Sequence, residues 1–208
     1  GRNVVLSISA YVWRDWYPQI GQMARTTGDI RARVTGGAAF DGVKHSVMKI
    51  ADINDQVAAF AGHGYWNDPD MLVTGDQGLT LAEQQAHFAL WCVMSAPLML
   101  GNDPRNMSPA ELDLVLNPDA IAIDQDSTEQ GRRVKSDGDT EVWVKKLSGG
   151  RRAVLLLNRN ATETRTVTAD WKDLDISGRM DVKDVFGKAS LGTHEDAVTK
   201  PTPPHACW

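Results

Sequence analysis

Trp66-Asn67-Asp68-Pro69-Asp70-Met71-Leu72 is the stretch from which the fold of this chain is read. Two carboxylates stand two apart across a proline, with a tryptophan before them and an apolar pair after. Pro69 holds its own φ near about −65° and drives Asp68 towards an extended backbone. The stretch therefore leaves a strand and stops, with both acids held stiffly. Upstream, residues 58–65 read as a helix end, glycines and a short approach to that strand. Downstream, residues 75–78 read as a loop, and a helix starts near Thr80. Strand, acidic loop and helix make the βα unit of a parallel α/β protein, which gathers functional residues at strand C-termini. Taken alone, the Asp-Pro-Asp group fits a turn-forming pair of aspartates equally well.

The chain has 208 residues, 42% hydrophobic and 24% charged, enough for one large or two small domains. A net charge of −5 argues against a nucleic-acid or anionic-membrane partner. No apolar run approaches the roughly 20 residues of a membrane span. Residues 1–8 read as a strand rather than a signal peptide, so the chain is expected to be cut from something longer. Cys92 and Cys207 fall in what read as different domains, so no disulfide is expected. The five histidines, His45, His63, His87, His194 and His205, are scattered without ligand spacing, so neither metal nor cofactor is expected.

Working outward, residues 3–9 read as a strand. The loop after it carries Tyr11, Trp13, Trp16 and Tyr17 beside Arg14 and Asp15, which suits a wall for sugar stacking better than a small core. Residues 23–30 read as a short strand closing on Asp29. Apolar residues at Val43, Val47, Ile50, Ile53, Val57 and Phe60 recur at helical spacing. Thr80 with Glu83 predicts a capping box, and Ser108-Pro109 predicts a capped helix start. Residues 95–101 read as a buried strand followed by an Asn-Asp-Pro turn. After Gln130 helical periodicity gives way to short strands, best at 141–146, 153–158, 164–168 and 180–184. Residues 1–128 and 129–208 are thus expected to form two domains, the second an antiparallel β module of about 75 residues.

Residues 66–72, 95–102 and Ala122-Ile123-Asp124-Gln125-Asp126, in that order, together with Arg25-Thr26-Thr27-Gly28-Asp29-Ile30, resemble glycoside hydrolase family 27, the α-galactosidases and α-N-acetylgalactosaminidases. The resemblance covers nearly the whole chain. It implies the C-terminal half of a (β/α)₈ barrel, strands five to eight, followed by an antiparallel β-sandwich. It also implies a retaining double displacement by two aspartates. The spacing Arg25–Asp29 matches the family's Arg-x-x-x-Asp, which makes Asp29 the general acid/base and Arg25 the contact to the sugar 2-hydroxyl and to the acid. Asp70 and Met71 match positions lining the sugar pocket, with Trp66 close by and Trp13 on the aromatic wall. The implied partner is a carbohydrate substrate.

Chemistry supports those assignments. A retaining glycosidase needs two carboxyl groups about 5–5.5 Å apart, one protonated to help the leaving oxygen depart. An arginine beside such an acid favours its ionised form, so burial or a second carboxylate must oppose it. Tryptophan and methionine help exclude water.

The chain departs from the family pattern twice. No Lys-x-Asp with a neighbouring cysteine, the nucleophile context, occurs in these residues. Ser9-Ala10-Tyr11 stands where galactosidases commonly carry Cys-Glu-Trp. The expected activity is release of terminal α-linked galactose. The alternatives are an α-N-acetylgalactosaminidase, a β-L-arabinopyranosidase, or a non-catalytic fragment holding sugar through Trp13, Trp16 and Asp70. Four barrel strands would leave two open edges, so the chain alone is expected to be inactive and poorly stable. Asp68, Asp124 and Asp126 are read as structural.

Overall fold

The computed structural model describes residues 2–10, 12–35, 45–62 and 64–208. Tyr11 and Val43, named above, and the histidine at position 63 lie outside the described residues. Three short strands, β1 (Ser7–Ile8), β2 (Met23–Arg25) and β3 (Trp66–Asp68), run parallel in the order β1-β2-β3. Ser7 pairs with Met23, and Met23 with Trp66, so the C-terminal ends of β2 and β3 lie side by side. Helix α1 (Val47–Asp55) connects β2 to β3, and α2 (Leu81–Val93) follows β3. A further parallel contact, the single bridge Leu72–Leu100, carries the pattern on.

The capping signals are realised. Thr80 accepts from the Glu83 N–H, and the Glu83 carboxylate accepts from the Thr80 N–H at 2.8 Å. Helix α3 (Pro109–Val115) has the same box from Ser108 and Glu111, with proline in its first turn. Helix α4 (Pro118–Gln125) starts on Asn117-Pro118, the same cap-then-proline signal. Helix α1 is shorter than residues 43–60, because Ser46 caps its start. The helix ends at Asp55, and Phe60 sits on a separate 3₁₀ turn, 41% exposed and packed on Trp13. The strand expected at 95–101 is reduced to Leu100. Pro97 has no N–H to give a ladder, its carbonyl accepts from Met99 in a tight turn, and Ser95 takes φ +53°.

The second unit is antiparallel. Strands β4 (Arg132–Asp137), β5 (Thr140–Lys146) and β6 (Arg152–Asn158) form one sheet, and Ala206 to Trp208 pairs along the outer edge of β6. Strand β7 (Arg165–Asp170) pairs with β10 (Ala197–Thr202), and β8 (Met180–Asp184) with β9 (Ala189–His194). Strands β4, β9 and β10 were not expected. The first two are largely polar and exposed, and β10 contains Pro201. Alternation along β5 and β6 splits two cores. Trp143, Leu155 and Leu157 join α2, while Val142, Val144 and Leu156 pack with Val167, Ala169, Trp171 and Val198 of the facing layer. Helix α2 is therefore covered on both sides, which explains its unbroken apolar run Phe88-Ala89-Leu90-Trp91-Cys92-Val93. Cys92 and Cys207 are free, buried and part of that core. This is half of a β/α barrel set on an antiparallel β-sandwich.

Polar contacts tie the two units together. Asp52 of α1 receives Arg133 at 2.8 Å and Arg159 at 2.8 Å, and Glu141 binds the same two arginines. Lys145, fully buried, donates to the Ile123 and Asp124 carbonyls at the end of α4, where a helix presents unpaired acceptors. Asp126 accepts from Ser148 and Thr128, and so acts structurally. Burial pushes the Asp124 carboxyl up to about 7 from 3.8. Below 3.8 it is protonated in both folded and unfolded chains, and above 7 it is ionised in both. Between these values the folded state binds more protons, so stability falls as pH rises. Asp124→Asn should flatten that decline and raise the melting temperature at neutral pH. Unchanged pH dependence of thermal unfolding would refute it.

Candidate active site

The ends of β2 and β3 and the loops that follow them bring three charged side chains together. Parallel pairing continues past Arg25, with the Thr26 N–H on the Asp68 carbonyl at 2.9 Å, and this fixes the two loops against each other. Thr26 is further held by Asn54 of α1. The Arg25 Nη2 donates to Asp70 Oδ2 at 2.7 Å and to Asp29 Oδ1 at 3.3 Å. The Arg25 side chain is 15% exposed and that of Asp70 12%, whereas that of Asp29 is 42% exposed. The guanidinium charge is thus held mainly by a buried carboxylate, and a more exposed carboxylate stands at its outer side.

Asp68 shapes the turn. Its Oδ1 accepts from the Asp70 N–H at 2.8 Å across Pro69, an Asx turn, and its burial raises the carboxyl above the usual range. Asp70 follows with φ +85°, in the left-handed region. Aspartate tolerates that region better than most residues, at a cost of roughly 1–2 kcal/mol. The Asp70 carboxylate is fully engaged: Oδ2 also accepts from the Ile30 N–H at 2.9 Å, and Oδ1 from the Met71 N–H at 2.8 Å. Asp70 therefore ties the loop after β3 to the loop after β2.

The apolar members divide. Met71 is 39% exposed and lies over Gly101, where a Cβ would come within 2.5 Å of its sulfur. Trp66 is half-buried on β3, in register with Met23. Trp13 joins a separate small cluster: its Nε1 donates to the Tyr65 hydroxyl at 3.0 Å, its ring packs 4.5 Å from Phe60, and Ala10 packs against the same cluster. Tyr17 is buried in the same cluster, and Trp16, 48% exposed, stands edge-on to it. The structure thus joins Arg25, Asp29 and Asp70 by direct contacts, with Met71 adjacent in the chain, and sets Trp13 on a neighbouring support. Among the described residues no group of three or more His, Cys, Asp or Glu is placed to hold a metal ion.

Two residues that hold this arrangement went unnoticed as such in the sequence. Trp91 donates its Nε1 to the Asp70 carbonyl at 2.7 Å, and His87 accepts from the Val73 N–H at 3.1 Å. Both are fully buried on α2. Their only signal is two polar-tipped aromatics four apart in the otherwise apolar second half of α2.

Chemically, a solvent-reachable carboxyl beside an arginine whose charge is shared with a buried carboxylate can pass a proton to and from an oxygen above it. Retention in glycoside hydrolysis needs a second carboxyl opposite the first.

Known proteins match both parts of the chain. A family described as "Alpha galactosidase A" matches residues 1–126, and one described as "Alpha galactosidase C-terminal beta sandwich domain" matches residues 137–208. The α-galactosidase of Oryza sativa is 37% identical over the whole chain and 48% of its own length. The crystal structure of α-galactosidase I from Mortierella vinacea covers 91% of the chain and 52% of its own, with TM-score 0.86 and 28% identity. A family 27 β-L-arabinopyranosidase from Geobacillus stearothermophilus, at 24% identity and TM-score 0.86 over all of this chain and 49% of its own, shares the fold. The chain spans about half the length of the curated relatives it matches.

Proposed function

The chain belongs to the α-galactosidase family, glycoside hydrolase family 27, and from that premise we propose that the protein is a retaining glycosidase releasing terminal α-linked galactose. Asp29 is the general acid/base. Arg25 contacts the sugar 2-hydroxyl. Asp70, Met71 and Trp66 line the sugar pocket, with Trp13 on its flank. The second carboxylate, the nucleophile, comes from polypeptide outside these residues, in keeping with the half-length match to the relatives. Residues 1–128 are the barrel part and 129–208 the sandwich.

The observation that carries this reading is the Arg25–Asp29 contact at 3.3 Å, with the Asp29 side chain 42% exposed on a mostly buried loop at a parallel-strand C-terminus. Ala10, in place of the glutamate commonly found there, favours a second reading. A small residue gives room for an N-acetyl group or a different ring, which points to N-acetylgalactosaminides or β-L-arabinopyranosides as competing substrates. Rates on the p-nitrophenyl derivatives of the three sugars, measured with the complete protein, decide among them. Galactoside turnover at least tenfold above the others is the expected result. No turnover of any of them, with galactose still bound, would leave a non-catalytic sugar-binding protein instead.

A further inference from the structure

Asp70 occupies a backbone conformation that side-chain-bearing residues avoid, and on one side Asp68 Oδ1 accepts its N–H at 2.8 Å. A second grip comes from the opposite side of the loop. His87 and Trp91 stand four apart on α2, hence on one helix face, with rings edge to face at 4.1 Å. Trp91 donates to the Asp70 carbonyl at 2.7 Å, and three residues on the Val73 N–H donates to His87 Nε2 at 3.1 Å. Two buried side chains of one helix thus hold both ends of residues 70–73. Between them, the Leu72 N–H and carbonyl are taken by Met99 and Gly101. Burial pushes His87 down to about 3, which keeps it a neutral acceptor. From Asp70 the contacts run through its carboxylate to Arg25, and from Arg25 to Asp29.

We propose that Trp91 is a positioning residue for the glycosidase reaction. Its indole N–H holds the Asp70 carbonyl, which fixes the left-handed Asp70, whose carboxylate fixes Arg25 between itself and Asp29. The inference rests on the galactosidase reading for its kinetic consequence and on geometry alone for its structural one. The discriminating change removes the N–H and keeps an aromatic ring, which separates the hydrogen bond from packing.

The test is Trp91→Phe in the complete protein. Its crystal structure is expected to show Asp70 out of the φ +85° conformation or the Arg25–Asp70 contact lengthened from 2.7 Å. Hydrolysis of p-nitrophenyl α-galactoside is expected to lose about tenfold in kcat with KM changed little, since one positioning hydrogen bond is gone. Unchanged Asp70 and Arg25 geometry overturns the proposal whatever the activity, and so does unchanged kcat. A parent protein that turns over no glycoside sinks the functional reading, and the crystallographic comparison then decides this one by itself. If Trp91→Phe fails to fold, β-(3-benzothienyl)alanine at position 91, which keeps the indole shape and lacks the N–H, carries both measurements.

Discussion

Asp29→Ala in the complete protein lowers kcat/KM for an alkyl α-galactoside by roughly 10²- to 10⁴-fold, the contribution of a positioned general acid/base. The loss is smaller in the first chemical step for p-nitrophenyl α-galactoside, because p-nitrophenolate departs with little help from a proton. The fold should tolerate the change. The Asp29 side chain is 42% exposed, and its pair with Arg25 is the longer of that arginine's two. Exposed pairs contribute about 0–1 kcal/mol, so the melting temperature stays near that of the parent. Equal losses on both substrates, or full activity on the alkyl galactoside, would remove Asp29 from the mechanism.

Arg25→Ala has the other large expected effect, and it strikes stability and activity together. The Asp70 carboxylate, 12% exposed, would keep the Ile30 and Met71 N–H donors and lose its countercharge. Removing one partner of a buried ion pair costs about 3–5 kcal/mol, and the remaining donors place this case near about 3 kcal/mol. Activity falls as well, since nothing then holds the acid or the sugar 2-hydroxyl. Denaturant unfolding and kinetics of Arg25→Ala, Asp70→Asn and the double variant separate the two effects. The double variant should regain much of the stability and none of the activity. A single variant as stable as the parent would show that the pair carries little of the fold.

Local signals were legible where the physics is local. The caps at Thr80 and Ser108 satisfy backbone donors within one turn, so three or four residues suffice to read them. Most of β5 and β6 were readable because apolar residues fill both pleat faces, and β8, Met180–Asp184, because Met180 and Val182 alternate with charged residues. Strands β4 and β9 escaped because their neighbours, not their own apolar content, define them. The strand expected at 95–101 failed because an apolar run says nothing about where its N–H groups can pair, and Pro97 has none.

By itself the sequence determined the acid–proline–acid turn, the Arg25–Asp29 spacing, the helix starts and the change from a helical to a strand-rich half at about residue 130. These depend on residues within a few positions of one another. Only the tertiary structure decided which carboxylate takes the charge of Arg25, that Asp70 adopts a left-handed backbone, and that Trp91 and His87 hold it there. Those outcomes join residues 14 to 45 positions apart. Their strength comes from burial at the meeting of two strand ends and a helix, and a linear pattern of residue types does not encode burial.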